Sequence, residues 1–170
     1  ALKIGDRIAL MKDGEIVQMG QPDDILLSPA TEYVARFVEN IDRTKALTAS
    51  AVMVKPRFVL HPKDGPRTAL RTMKRGGLSG VFATDRGGHL IGYITADNAS
   101  RAVKEGDKTL DTIIDKDVPI ASPDTPLADL LDVIAYTQIP VAVIDENRLL
   151  KGILVRGSVI GGLAGERREA

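Results

Sequence analysis

From residue 58 onward the apolar residues of this chain fall in short blocks, and the blocks occur twice. Phe58-Val59-Leu60 runs into His61-Pro62, and Val118-Pro119-Ile120-Ala121 runs into Ser122-Pro123. A polar turn and a helical pattern follow each. The first predicted helix covers about 66–76, with Ala69, Leu70 and Met73 on one face. The second covers about 126–136, with Leu127, Leu130, Leu131 and Ile134 inward. Both carry proline near the first turn, where its missing N–H costs nothing. Next come two short apolar runs joined by a polar turn, which read as a β-hairpin. In the first copy these are 80–84, the turn Asp85-Arg86-Gly87-Gly88, and 90–94. In the second they are 141–145, the turn Glu146-Asn147-Arg148, and 150–154. A helix closes each copy, over about 96–104 and 156–163. The offset is 61 residues before the turn and 60 after it, so the length change falls in a turn. The expected fold class is therefore α+β, a β-α-β-β-α unit used twice. Neither copy alone buries much surface, so the two are expected to pack as a pseudo-twofold pair with two related clefts.

The first 45 residues have another pattern. Arg7-Ile8-Ala9-Leu10-Met11 and Glu15-Ile16-Val17-Gln18-Met19-Gly20 flank Asp13-Gly14, which reads as a hairpin. A short helix starts at Pro22, with Asp23 and Asp24 where the helix dipole favours acids. Ser28-Pro29 ends it. Thr31 can cap a second helix whose Tyr33, Val34, Phe37, Val38 and Ile41 share a face.

Composition narrows the chemistry. There is no cysteine among the 170 residues, which excludes disulfides, thiolate nucleophiles and Cys-based zinc sites. Aromatics are 4% with no tryptophan, so the core must be aliphatic. No run approaches the roughly 20 apolar residues of a membrane span, and no secretory signal is read at the start. Net charge is zero but uneven: 46–100 holds eight basic and three acidic residues, while 1–45 holds six and eight and 101–170 nine and twelve. A neutral chain with a basic middle is not expected to bind nucleic acid generally, but leaves room for a local anion site. His61 and His89 have no histidine or carboxylate at evident ligand spacing, so no metal site is expected.

The repeat resembles a tandem pair of CBS (cystathionine β-synthase) domains over about residues 50–163. Gly92-Tyr93-Ile94-Thr95, Gly152-Ile153-Leu154 and Ile139-Pro140-Val141-Ala142-Val143-Ile144-Asp145 carry that likeness. The order from Asp6-Arg7-Ile8 through Gly14-Glu15-Ile16-Val17 to the helix beginning at Pro22 is similar to the end of ABC transporter nucleotide-binding domains. Together they look like the ATP-binding subunits of glycine betaine/proline importers. The expected division is 1–45 for the ATPase remnant, 46–106 and 107–165 for the two copies, and 166–170 for a frayed tail. The phosphate-cradling G-x-x-x-x-G-K-[S/T] loop is absent from the sequence, as are the family's signature motif and acidic strand end. No catalysis is therefore expected of this stretch, and any ATP hydrolysis would belong to a parent polypeptide.

The resemblance also implies where a ligand would sit. CBS pairs that bind adenosine nucleotides show Gly-apolar-apolar-Thr-x-x-Asp after the hairpin, the Thr and the carboxylate taking the ribose and adjoining groups. Here the Thr is Thr95, but Asn98 stands at the acid's position and Asp97 one residue early. Asn bonds a ribose hydroxyl less strongly than a carboxylate does. The competing reading is that Thr95 or Asp97 caps the helix. Val59, Leu60, Ile120 and Ala121, at the first strands of the copies, complete the candidate contacts. The second copy has Val155-Arg156-Gly157-Ser158 in place of the Thr motif. Ser158 remains a candidate contact, and Arg156 is suited to a phosphate or else is a solvated surface residue. The other asymmetry is a basic stripe, Arg67, Arg71, Lys74 and Arg75, on the first helix of the first copy, where the second copy has Asp129 and Asp132.

Three functions follow as expectations. The first is a regulatory module of an importer's ATP-binding subunit that senses AMP, ATP or cyclic di-AMP. The second is an electrostatic sensor in which the basic stripe meets an anionic membrane or an acidic module and responds to salt. The third is a ligand-free dimerisation module. The expected partners are a second copy of the chain, through the CBS helices, and a membrane permease, through the ATPase core. The expected location is cytoplasmic, peripheral to the cell membrane.

Overall fold

The computed structural model describes residues 7–165. The expected tail at 166–170 and Asp6 lie outside the described residues. The chain begins with the hairpin β1 (Ile8–Lys12) and β2 (Glu15–Gly20), turned on Asp13 and Gly14, both with positive φ. Four short helices follow: α1 (Pro22–Leu27), α2 (Glu32–Val38), α3 (Arg43–Ala46) and α4 (Ala49–Val52). The first copy is β3 (Val59–Leu60), α5 (Pro66–Gly76), β4 (Gly80–Thr84), β5 (Leu90–Thr95) and α6 (Ala96–Glu105). The second is β6 (Ile120–Ala121), α7 (Leu127–Tyr136), β7 (Val141–Ile144), β8 (Leu150–Leu154) and α8 (Arg156–Ala164). The β-α-β-β-α unit predicted from the hydrophobic pattern is present twice.

The contacts divide the chain into two compact units that cut across the repeat. One holds Lys55–Ser122 and Thr137–Ile153, which takes in β3 to α6 of the first copy and the strands of the second up to Ile153. The other holds, among the described residues, 7–54, 123–136 and 154–165, so the N-terminal segment shares a unit with α7 and α8.

In the strand-rich unit the sheets have the orders β3-β4-β5 and β6-β7-β8. In each, the first two strands are parallel. β4 is buried along its full length. Such a strand has to be apolar on both faces, which is what Gly-Val-Phe-Ala-Thr supplies. Val81 and Ala83 join Leu60, Ala69, Met73, Ile94, Ala99 and Ala102 under α5 and α6, with Leu110 and Ile113 from the segment that follows. Phe82, on the opposite face, joins Leu90 and Tyr93 against Ala142 and Ile144 of the second sheet. The Phe82 and Tyr93 rings meet edge to face with centroids 4.9 Å apart.

Two backbone contacts lock this unit. The hairpin turns of the two copies pair: Leu90 N–H donates to Arg148 C=O at 2.9 Å and Leu150 N–H to Gly88 C=O at 3.0 Å. Asp85 and Asp145 shape those turns alike, each accepting two main-chain N–H groups on one carboxylate oxygen. The segment between copies lies along β5, where Tyr93 and Asp115 exchange N–H···O bonds of 2.8 and 2.9 Å. A Cβ at Gly92 would stand 2.1 Å from the Asp115 carbonyl oxygen, so the approach requires glycine there.

In the other unit α1 buries Ile25, Leu26 and Leu27, and Thr31 caps α2 by accepting the Val34 N–H. The expected five-residue face of α2 is narrower than predicted. Val34 and Val38 are buried, but Tyr33 and Phe37 are exposed. A seven-residue helix turns only two of these positions inward, and Ile41 lies beyond its end. The Lys12 ammonium sits 5.2 Å from the centre of the Tyr33 ring. α3 packs on α7 and α4 on α8. A Cβ at Gly162 would meet Val52 at 2.2 Å, so glycine admits the α4–α8 contact. Residues 47–50 are stitched to the start of α7: Leu127 N–H donates to Leu47 C=O, Ala49 N–H to Thr125 C=O and Ser50 N–H to Pro123 C=O, at 2.8–2.9 Å.

Candidate functional site

The first-copy candidates flank β4. On one side β3 pairs Val59 with Phe82 and Leu60 with Ala83. Alternation along a strand sends neighbouring side chains to opposite faces. Leu60 enters the core, while Val59 stays 47% exposed. On the other side β5 pairs Thr95 with Gly80. Val59 and Thr95 are therefore two strand spacings apart across the sheet, about 10 Å, and two residues apart along it, about 7 Å. Gly80 leaves room for the Tyr93 ring, which a Cβ would meet at 2.4 Å. Burial pushes the Tyr93 phenol up, against a hydrogen bond with Ser79.

Thr95 ends β5 in extended conformation and opens α6. Its Oγ accepts the Asn98 N–H at 3.2 Å. Thr95 is thus the helix cap, and Asp97 is exposed on the first turn. The Asn98 side-chain oxygen accepts a bond from the Arg101 guanidinium at 3.1 Å, a link the sequence pattern did not reveal. Capping uses an acceptor lone pair of the Thr95 hydroxyl and leaves its proton for another oxygen.

Ile120 and Ala121 occupy the matching places in the second sheet, paired with Ala142 and Val143. Ile120 is 49% exposed and Ala121 buried, the same division seen at Val59 and Leu60. Both lie in the strand-rich unit, as do Val59, Leu60, Thr95, Asp97 and Asn98. Arg156 and Ser158 lie in the other unit. There Ser158 is buried and its Oγ donates to the Val155 carbonyl at 3.0 Å. The Arg156 guanidinium donates to the carbonyls of Ile134 and Ala135 at 3.2 and 3.0 Å. It closes the C-terminal end of α7, where the helix dipole favours a cation.

The four residues of the basic stripe are all exposed on α5. Among the described residues none of them forms an ion pair with an acid. Arg71 reaches the Thr68 hydroxyl at 3.4 Å. Arg75 lies 4.8 Å from the centre of the Phe58 ring, with Arg57 at 5.8 Å from it. Arg101 and Lys104 on the adjoining α6 are exposed as well. His89 does have a carboxylate neighbour, Asp85, 2.9 Å from Nδ1, because the turn brings them together. Those contacts, led by the His89 N–H, hold the Asp85 carboxyl below its usual range. Among the described residues no group of His, Asp and Glu is arranged to hold a metal ion, and no helix is long and apolar enough to cross a membrane.

The family model for the CBS domain matches residues 49–105 and 110–165. The chain belongs to the CBS domain family and carries two copies in tandem. It is 48% identical over 97% of its length to the glycine betaine/carnitine transport ATP-binding protein GbuA of Listeria monocytogenes, and covers 41% of that protein. It is 46% identical over 97% of its length to the glycine betaine transport ATP-binding protein OpuAA of Bacillus subtilis, covering 39% of it. The chain thus spans about two fifths of the length of these curated relatives. Among solved structures, Staphylococcus aureus OpuCA superposes with a TM-score of 0.59 at 21% identity, over 64% of this chain and 92% of that one. The CBS pair of protein MJ0100, solved with 5′-methylthioadenosine and S-adenosyl-L-methionine, gives 0.58 at 22% identity, over 70% and 97%. These likenesses fix the fold.

The geometry at Thr95 yields a direct test. Thr95→Ala removes the α6 cap and is expected to cost about 1 kcal/mol in urea unfolding. Thr95→Ser, which keeps the acceptor, should stay within about 0.5 kcal/mol of the parent. Equal losses for both would mean that the cap contributes nothing.

Proposed function

We propose that this chain is the regulatory CBS pair of the ATP-binding subunit of a glycine betaine-type ABC importer, and that it senses a nucleotide in the first copy. The relatives support the importer context. The observation that carries the ligand reading is the pair of features flanking β4: half-exposed Val59 on β3 and the capped N-terminus of α6. An apolar wall suits a base. The Thr95 hydroxyl and the exposed Asp97 carboxylate suit ribose hydroxyls, and the start of α6 favours a phosphate. The ligand class is an adenosine nucleotide or cyclic di-AMP. Binding acts on the parent ATPase, which works beside a permease at the cell membrane; this stretch binds and does not catalyse. Thermal unfolding with AMP, ATP and cyclic di-AMP tests the reading. A ligand at one hundred times its Kd adds about 2.7 kcal/mol, a rise of about 5 °C or more for a chain this long. No rise with any of the three at millimolar concentration would end the nucleotide reading.

The basic stripe, which meets no acid among the described residues, supports a second reading, in which α5 responds to ionic strength at an anionic surface. Four cations within about a quarter-turn repel unless an anion offsets them. Screening shortens from about 10 Å at 0.1 M salt to about 3 Å at 1 M. Replacing Arg67, Arg71, Lys74 and Arg75 with Gln should flatten the salt dependence of binding to vesicles containing phosphatidylglycerol. An unchanged salt profile removes this reading.

A further inference from the structure

The side chain of Asp23, on α1, is half-buried, and its two oxygens differ. Oδ2 accepts the Thr48 hydroxyl at 2.9 Å. Oδ1 is buried and has no partner among the described residues. A buried carboxylate oxygen without a donor is costly, and a native structure rarely keeps one without a use. Thr48 lies where the N-terminal segment meets the second copy. Its own backbone bridges Pro126, and its neighbours Leu47, Ala49 and Ser50 bond to residues 123–127 at the entry to α7. Asp23 therefore bonds directly to the stitch that fastens residues 47–50 to the start of α7. Arg43 on α3, which packs against α1, has a second buried atom, Nη1, without a partner. Its guanidinium lies over Gly165 at the end of α8, where a Cβ would meet it at 2.7 Å. Two opposite charges on touching helices are thus each incompletely satisfied.

We propose that residues 47–50 form a releasable joint, held under tension by the half-buried Asp23 carboxylate, through which the N-terminal segment and the α7–α8 helices separate and rejoin. The joint stands without any ligand; its use in carrying a signal to an ATPase rests on the regulatory reading above. The tension has a defined electrostatic sign. Burial is the main influence raising the Asp23 carboxyl above its ordinary range; the Thr48 bonds oppose it and Asp24 adds to it. A raised folded-state pKa means that the protonated form favours the closed joint, and that this stabilisation is lost as pH rises through the raised value. The other charged groups on elements packed against α1 are Glu15 on β2, Glu32 and Arg36 on α2, which pair with each other, and Arg43 and Lys45 on α3, where Lys45 meets Asp42 at 3.3 Å.

Amide hydrogen exchange on the 170-residue chain, read at Ala49, Ser50 and Leu127 without nucleotide, tests the proposal. Asp23→Asn should slow exchange at these amides about three- to tenfold at pH 7, and Thr48→Val should speed it by a similar factor. In the parent chain, lowering the pH should slow the same amides, after correction for intrinsic rates, and close the gap to Asp23→Asn. Exchange in Asp23→Asn that equals or exceeds the parent's would overturn the proposal, as would a parent gap that does not change with pH. Because no nucleotide is present, failure here leaves the nucleotide reading standing, and failure of the thermal-shift panel leaves the joint standing.

Discussion

The burial of β4 on both faces governs the arrangement of the first copy. One face lies under α5 and α6 and the other against the second sheet, so nothing polar can enter along Val81-Phe82-Ala83. β3 and β5 are therefore held on either side of it. That puts Val59 and Thr95 at fixed positions across the sheet. The same tightness explains two glycines. Gly80 yields to the Tyr93 ring and Gly92 to the Asp115 carbonyl. A strand buried like this cannot shift by one residue without turning every core side chain the wrong way. The candidate cleft inherits that rigidity.

Charge separates the two copies more than fold does. The first carries cations on α5 that form no ion pair among the described residues, and a Thr–Asp–Asn helix start open to solvent at Asp97. The second spends its corresponding residues on structure: Arg156 closes α7, and Ser158 is buried against the Val155 backbone. The two copies share a fold, but the exposed cationic stripe lies on the first. In the other half, the helices are used to fasten the N-terminal segment.

The repeat was legible because its short apolar blocks recur at a fixed offset and its helices run nine to eleven residues, long enough to show a period. The boundaries of α5 and β4 follow the apolar pattern closely. α3 and α4 escaped notice because four residues hold no period, and the stitch of residues 47–50 to the start of α7 is made by backbone atoms that carry no sequence signal. The same is true of the paired hairpin turns at His89 and Leu149. At the site, the residue types at Thr95 and Asn98 were readable, but their partners were not. Arg101 reaches Asn98 only because a helix brings them together. Asp23 looked like an ordinary first-turn acid, and its bond to Thr48, 25 positions away, carries no sequence signal. The resemblance to CBS pairs supplied the expectation of Gly92; the reason for it, the Asp115 carbonyl, appears only in three dimensions.

The central claim is that a nucleotide enters the first copy beside β4. Backbone and methyl chemical shifts recorded while AMP, and separately cyclic di-AMP, is added to the chain test it most directly. Saturable changes concentrated at Val59, Thr95, Asp97 and Asn98 are expected, with Val155 and Ser158 unaffected. Changes centred on Val155 and Ser158, or no saturable change with either nucleotide, would contradict it.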